Sequence, residues 1–293
     1  MRAWQWIGAA VVVVGIGVAV FMLKPVTGPA RDLTLAGDAT RGAYLIKLGG
    51  CVSCHTDAGN GGTALAGGAA LQTVFGTFFA PNITPHADAG IGRWSFEQFA
   101  KAMSDGEGPQ GHLYPVFPFD NYSRLTDQDL ADLYAGLMQV SADPKVAPPH
   151  QVAFPFNMRI AVAGWKNLFF RPERFEPDPD KSALWNRGAY LATGPAHCVA
   201  CHSPRNLLGA IESGRELTGN PAGGPGGRAP AITAEALLAD GYDPALLIEV
   251  LRTGFTPNFD VLGGAMAEVV RDSTSQWTDE DLAALAAYLF DES

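Results

Sequence analysis

Every cysteine in this 293-residue sequence belongs to one pattern used twice: Cys51-Val52-Ser53-Cys54-His55 and Cys198-Val199-Ala200-Cys201-His202. Cysteines three apart lie on one side of a helical turn. Both sulfurs can then form thioethers with the vinyl groups of one haem, and the histidine that follows faces the iron as its proximal ligand. The pattern calls for two covalently bound haem c groups, attached through Cys51, Cys54, Cys198 and Cys201, with His55 and His202 as axial ligands. Two other readings use the same cysteines. Disulfides form in exported proteins, and two Cys-x-x-Cys pairs can hold one zinc. Both leave the histidines idle, and the zinc reading must also join pairs that sit in separate repeats. Because thioethers are made on the oxidising side of the membrane, the body of the chain is expected outside the cytoplasm.

The motifs sit in a duplicated frame. RGAYLIKLGGCVSCH (41–55) parallels RGAYLATGPAHCVACH (187–202), and APNIT (80–84) parallels APAIT (229–233). MSDG (103–106) parallels LRTG (251–254), and LTDQDLADLYAGL (125–137) parallels WTDEDLAALAAYL (277–289). Signposts in one order mark a repeated domain, here near 36–145 and 181–293. The connector, 146–180, is too aromatic for a floppy tether and is expected to pack along both copies. Each copy reads as mostly helical. Thr126 and Thr278 are N-cap candidates with acidic first turns that suit the helix dipole. Apolar positions follow at helical spacing: Leu130, Leu133, Leu137, and Leu282, Leu285, Leu289. Ser95 and Gln98 have capping-box spacing, and Gly42 and Gly188 would let a second helix approach closely. Long Gly/Pro loops, notably 209–231, join the helices. A small domain of this kind has a modest core of its own and needs a large apolar body to fold around.

A net charge of −10 speaks against nucleic acid, since no basic stripe is present to neutralise phosphates. It suits docking on basic protein surfaces, at rates that fall as salt rises. The N-terminus differs from the rest. Trp6–Leu23 carries no charge and as a helix would span roughly 27 Å, close to a bilayer core. Trp4 and Trp6 lie where an interfacial aromatic belt would fall. A cleaved signal peptide has a shorter apolar region and a small-residue cleavage site, which Lys24-Pro25-Val26 does not offer. Residues 1–30 are therefore read as a single uncleaved transmembrane anchor. Positive charge at both ends, Arg2 and Lys24, leaves its orientation open under the positive-inside rule. The export that haem attachment requires puts the body in the periplasm.

APNITPHADAGIGRWS (80–95), FPFNMR (154–159), WNRGAYL (185–191), HCVACHSPRNLLGA (197–210) and GGAMAEVV (263–270) carry a family resemblance. The sequence resembles the membrane-anchored cytochrome c subunits of bacterial alcohol and gluconate dehydrogenases and of molybdenum hydroxylases, over nearly everything after residue 35. The resemblance implies a mainly α fold of two class I cytochrome c-like domains joined by an ordered connector. It implies a diheme protein of the bacterial inner membrane that takes single electrons from a periplasmic dehydrogenase. These pass to quinone, an oxidase or a soluble cytochrome of the respiratory chain, with no substrate chemistry in this chain. The best-known members carry three haems; this sequence has motifs for two.

The family motif GGxMAEVV implies Met266 as the sixth ligand opposite His202, and a thioether there raises the reduction potential. In the first copy, relatives with a sulfur ligand read YPAMPY where this chain has Tyr114-Pro115-Val116-Phe117-Pro118-Phe119. Phe117 cannot bind iron. His112, on the same loop beside Gly111, would give bis-histidine ligation, and relatives reading HLYPAFPY share it. Met103 is a further candidate, although its match to Leu251 in the repeat points to core packing. His86 is another. The remaining alternative is an open iron shielded by Phe117, which would make the chain a peroxidase-like or sulfur-oxidising diheme enzyme. Bis-histidine ligation at the first haem would place it below the second in potential, so electrons would enter at the first and leave from the second. His150 and His197 read as structural or solvated. Trp94, Arg93, Asn82, Arg205 and Asn206 read either as haem-pocket and propionate contacts or as loop packing.

Overall fold

The computed structural model describes residues 2–224, 227–258 and 260–291, and the protein is mainly α-helical. Pro225 and Gly226 of the long 209–231 loop, and Glu292 and Ser293 of the second copy, lie outside the described residues. The apolar N-terminal run forms one helix, α1 (Arg2–Leu23). The first copy contains α2 (Ala39–Leu48), α3 (Cys51–His55), α4 (Phe96–Asp105), α5 (Phe119–Tyr122) and α6 (Asp127–Leu137). The connector forms α7 (Arg159–Phe169). The second copy contains α8 (Ala183–Thr193), α9 (Cys198–His202), α10 (Ala234–Ala239), α11 (Pro244–Thr253), α12 (Gly264–Asp272) and α13 (Asp279–Leu289).

The caps define these helices. Thr126 accepts from the Asp129 N–H and Thr278 from the Asp281 N–H, one orphan donor satisfied at each helix start. Ser95 and Gln98 form the reciprocal capping box expected of them. Asp38 and Ser182 start α2 and α8 in the same way. In each copy the opening helix crosses the closing one: α2 on α6, and α8 on α13. The crossings depend on glycine. A Cβ on Gly42 would meet the Asp132 carbonyl, and one on Gly188 the Ala284 carbonyl. Leu130, Leu282 and Leu285 are fully buried at these contacts.

The two copies share one continuous apolar core running from Leu45 to Leu289. Reciprocal polar contacts lock them together. Tyr44 of the first copy donates to Asp281 of the second at 2.7 Å, while Tyr190 of the second donates to Asp129 of the first. Each hydroxyl also accepts an N–H from the capping threonine of the opposite copy, Thr278 or Thr126. Arg187 forks onto Asp281 at 2.8 and 2.9 Å, and Arg41 pairs with Asp129 and Asp132 at 3.0 Å. The buried carboxylates are thereby compensated, as charges out of water must be. Asn121 donates to the Thr193 carbonyl, and its repeat counterpart Ser273 donates to the Leu48 carbonyl.

The connector packs along both copies, as its composition predicts. Phe170 meets Phe119, Phe175 meets Tyr190, and Arg174 pairs with Asp127. The predicted loops contain short antiparallel ladders. Strands β1 (Ala70–Thr73) and β2 (Gly76–Phe79) form a hairpin. Strands β3 (Glu107–Gly108) and β4 (Gly111–His112) pair, and β5 (Gln151–Val152) from the connector joins β2. Strands β6 (Asn220–Gly224) and β7 (Gly227–Ala229) pair within the 209–231 segment.

Candidate haem-attachment sites

Both Cys-x-x-Cys-His strings form single-turn helices, α3 and α9. Each is entered through a left-handed residue: Gly50 at φ 58° and His197 at φ 43°. Gly50 adopts this conformation without a Cβ penalty. His197 is held in it by its ring, which lies 3.3 Å from the Gly49 carbonyl and packs edge-on against Tyr122. His197 therefore bridges the copies.

The two terminal histidines make the same contact through Nδ1. His55 Nδ1 lies 2.8 Å from the Pro81 carbonyl, and His202 Nδ1 lies 2.8 Å from the Pro230 carbonyl. A carbonyl only accepts, so Nδ1 carries the proton and the lone pair sits on Nε2. Iron ligation needs this tautomer, and such outer contacts orient a ligating imidazole. Burial lowers the pKa of both rings, with the proline carbonyl opposing, so both favour the neutral form that can ligate. The backbone on the far side is pinned in the same way: Gly67 N–H donates to the His55 carbonyl and Gly219 N–H to the His202 carbonyl. Pro81 and Pro230 are the prolines of the APNIT and APAIT signposts. The sequence marks them as repeated, and the geometry supplies their role.

All four cysteines are free. Burial lifts the Cys51 and Cys198 thiols to about 12. Cys54 is raised to about 11, by the surrounding protein first and then by the charges of Cys201 and Glu268. Among the described residues no three His, Cys, Asp or Glu side chains cluster in a way that could hold a metal ion. The His197 ring, 3.3 Å from the Gly49 carbonyl, brings the entries to the two attachment turns together. Helix α12 of the second copy also meets α3 of the first, with Ser53 donating to Asp272 at 3.3 Å. The free thiols, the Nδ1–H tautomer and the uncommitted Nε2 fit haem c in each copy.

Met266 stands in the first turn of α12, half-buried against the shared core. Phe117 packs on Tyr122 with ring centroids 5.2 Å apart. His112 lies on β4, paired with Glu107. Its Nδ1 is 3.3 Å from the ammonium of buried Lys166, and its carbonyl accepts from Arg159. Burial, then the Lys166 charge, lowers its pKa. Met103 is buried in α4 beside Cys51 and Tyr122 and belongs to the core. His86 Nδ1 accepts the Asp88 and Ala89 N–H groups, and His150 Nδ1 accepts the Phe79 N–H. The proposed propionate contacts mostly have local work. Asn82 is buried and ties Thr84 to the Asp143 and Lys145 carbonyls. Asn206 caps the turn at Leu208 and Ala210, Arg205 holds the Gly209 and Ala200 carbonyls, and Arg93 pairs with Asp88. The Trp94 carbonyl accepts from Tyr134.

A repeated helical frame with a proximal-type histidine and two free thiols in each copy defines a c-type haem protein. The chain belongs to the cytochrome c family, whose model matches residues 39–141. It is 41% identical over 294 residues to a diheme cytochrome c-type protein of Cereibacter sphaeroides, covering 99% of this chain and 98% of that protein. It is 42% identical over 270 residues to a nicotinate dehydrogenase subunit of Pseudomonas putida, covering 91% of this chain but only 22% of that protein. The fructose dehydrogenase cytochrome subunit of Gluconobacter japonicus is 38% identical over 256 residues, with 85% of this chain and 51% of the subunit aligned. The chain thus spans about half or less of these two dehydrogenase subunits, and nearly all of the diheme protein.

Proposed function

We propose that the chain is a membrane-anchored diheme cytochrome c that relays single electrons from a dehydrogenase to a respiratory acceptor. In this reading residues 36–145 and 181–293 are two cytochrome c-like domains, joined by the 146–180 connector. Cys51 and Cys54 would hold one haem and Cys198 and Cys201 the other. The repeated histidine–proline contact carries the reading, because it leaves Nε2 of both His55 and His202 free at the end of a Cys-x-x-Cys turn. Bound there, each haem c supplies a one-electron ferric/ferrous couple. The residues fix where the iron sits, which ligands it meets and how far water is excluded. Met266 completes the His202 site, and sulfur favours the higher potential. His112 is the nitrogen donor assigned to the His55 site, which would then be the lower of the two. A redox titration that found the His55 site more oxidising would reverse that order.

The donor is proposed to be a dehydrogenase, as in the relatives' names, and the acceptor a quinone, an oxidase or a soluble cytochrome. Helix α1 serves as the single anchor, with the body in the periplasm of a bacterial inner membrane. Trp4–Met22 is long and apolar enough to cross, and none of it is buried in the protein. Pull-down of the tagged chain from solubilised membranes tests the donor: a dehydrogenase subunit should accompany it and reduce its haem on addition of substrate.

One contact favours a second reading. His112 Nδ1 faces Lys166, and if that contact persists when haem is attached, the His55 site is left open. The chain would then be a diheme enzyme, peroxidase-like or sulfur-oxidising. Carbon monoxide separates the readings: binding at half the haems of the reduced protein supports the open site, and no binding supports the relay. In the relay reading His112→Ala changes the low-spin electron paramagnetic resonance signal of one haem.

A further inference from the structure

The anchor does not leave the body on a free stalk. Asn167 Nδ2 of α7 donates at 3.0 Å to the carbonyls of both Phe21 and Lys24, and Met22 lies directly over Gly164. Phe21 and Met22 form the last turn of the apolar span. A helix bonded there is level with the surface of any bilayer that α1 crosses.

The chain around this junction is unusually apolar on its outside. Phe154 is 77% exposed, Leu168 54%, Phe156 44%, Met158 42% and Ile160 40%. The patch extends to two neighbours. Phe75, from the turn of the β1–β2 hairpin, stacks edge-on against Phe156 at 4.9 Å, beside Val74, which is 93% exposed. Trp165 donates to the Leu208 carbonyl, next to Leu207, which is 97% exposed. A contiguous apolar surface of this kind marks an interaction site.

Charge identifies its occupant. Runs 1–31, 58–87, 144–172 and 181–211 contain no Asp or Glu, in a chain whose net charge is −10. These four runs supply α1, the hairpin, the connector face and the Leu207–Leu208 loop. Arg159 and Arg171 bracket α7 in sequence, their guanidinium groups donating to the His112 carbonyl and to the Asn167 and Phe170 carbonyls respectively. Aromatic and apolar side chains on four segments that carry no carboxylate of their own match the headgroup layer of an anionic membrane.

We propose that α7, the Phe154–Met158 loop and the Val74 turn lie in the headgroup layer of the bilayer that α1 crosses. The body is thereby held at a fixed orientation on anionic lipid. This rests on the reading of α1 as a spanning anchor and adds a second, peripheral contact to it. The contact keeps the two attachment sites at a constant height above the membrane, which limits the directions from which a membrane-bound acceptor can approach.

Hydroxyl-radical footprinting of the full-length holoprotein, purified alone into phosphatidylglycerol-containing nanodiscs, tests the proposal. Phe255 and Val261, 60% and 59% exposed in the second copy, serve as water-exposed references. Normalised to each residue type's intrinsic reactivity, Phe154, Phe156 and Met158 should label several-fold less than these references, alongside Trp4 and Trp6 of the anchor. Labelling of Phe154 equal to Phe255, with Trp4 and Trp6 protected, would overturn the proposal and leave the anchor standing. Labelling of Trp4 and Trp6 as well would remove both. Protection of Phe154 that arises only with co-purified subunits would make the patch a protein interface and also overturn it.

Discussion

Gly42 sits where the α2 backbone meets the α6 backbone, and Gly188 occupies the same place between α8 and α13. An added methyl has nowhere to go, because the obstructing atoms are main-chain carbonyls. Gly42→Ala and Gly188→Ala are each expected to cost about 1–3 kcal/mol, the usual range for overpacking, read as a lower denaturation midpoint of the holoprotein. Alanine at solvent-facing Gly59, which has open space around it, should leave the midpoint unchanged. The two tyrosine hydroxyls make the complementary case. Tyr44→Phe or Tyr190→Phe removes one donor while Arg187 or Arg41 still covers the carboxylate, so about 1 kcal/mol should be lost in each. The glycines were legible in the sequence because the repeat set them in one register. The tyrosine contacts were not, since each acceptor lies in the other copy. His55 and His202 were legible as candidate ligands, but their proline acceptors required the loop to fold back.

Among the elements, caps were read correctly where a side chain meets its own helix: Thr126, Thr278, Ser95 with Gln98. Helix α7 was missed because Met158 offers no capping side chain and Gly164 interrupts the run. The short ladders were missed because tertiary pairing, not alternation, selects such strands. Asp127 shows an element read in part. It is acidic at the start of α6, as the dipole favours, but it also gathers the Asp32 N–H, Arg31 and Arg174. Burial alone would raise its pKa. The Asp32 N–H and the two guanidinium groups outweigh burial and hold it below the ordinary 3.8. A depressed folded pKa contributes stability that is complete above the unfolded value and is lost as pH falls through the folded one. Amide protection of residues 28–34 should therefore hold steady above about pH 4 and fall on acidification. Asp127→Asn should weaken it at neutral pH and flatten the acid response. Unchanged protection in that variant would show that residues 28–34 are held by something else.

For the whole molecule, the duplication was visible from four signposts in order, while the relation between the copies was not. The structure joins them through one core and exchanged tyrosine–aspartate contacts, and the His197–Gly49 contact brings the entries to α3 and α9 together. A chain built in this way should unfold as one unit. Loss of haem attachment in one copy, by replacing Cys198 and Cys201 with alanine, should lower the unfolding midpoint monitored at the other haem. Independent transitions would contradict the shared core. The most direct test is the intact mass of the protein purified from its own membranes, measured beside a variant lacking Cys51 and Cys54. The account predicts a polypeptide carrying two covalent haems, and one haem in the variant. A mature chain with no added haem, or with a single haem that the variant retains, would contradict it.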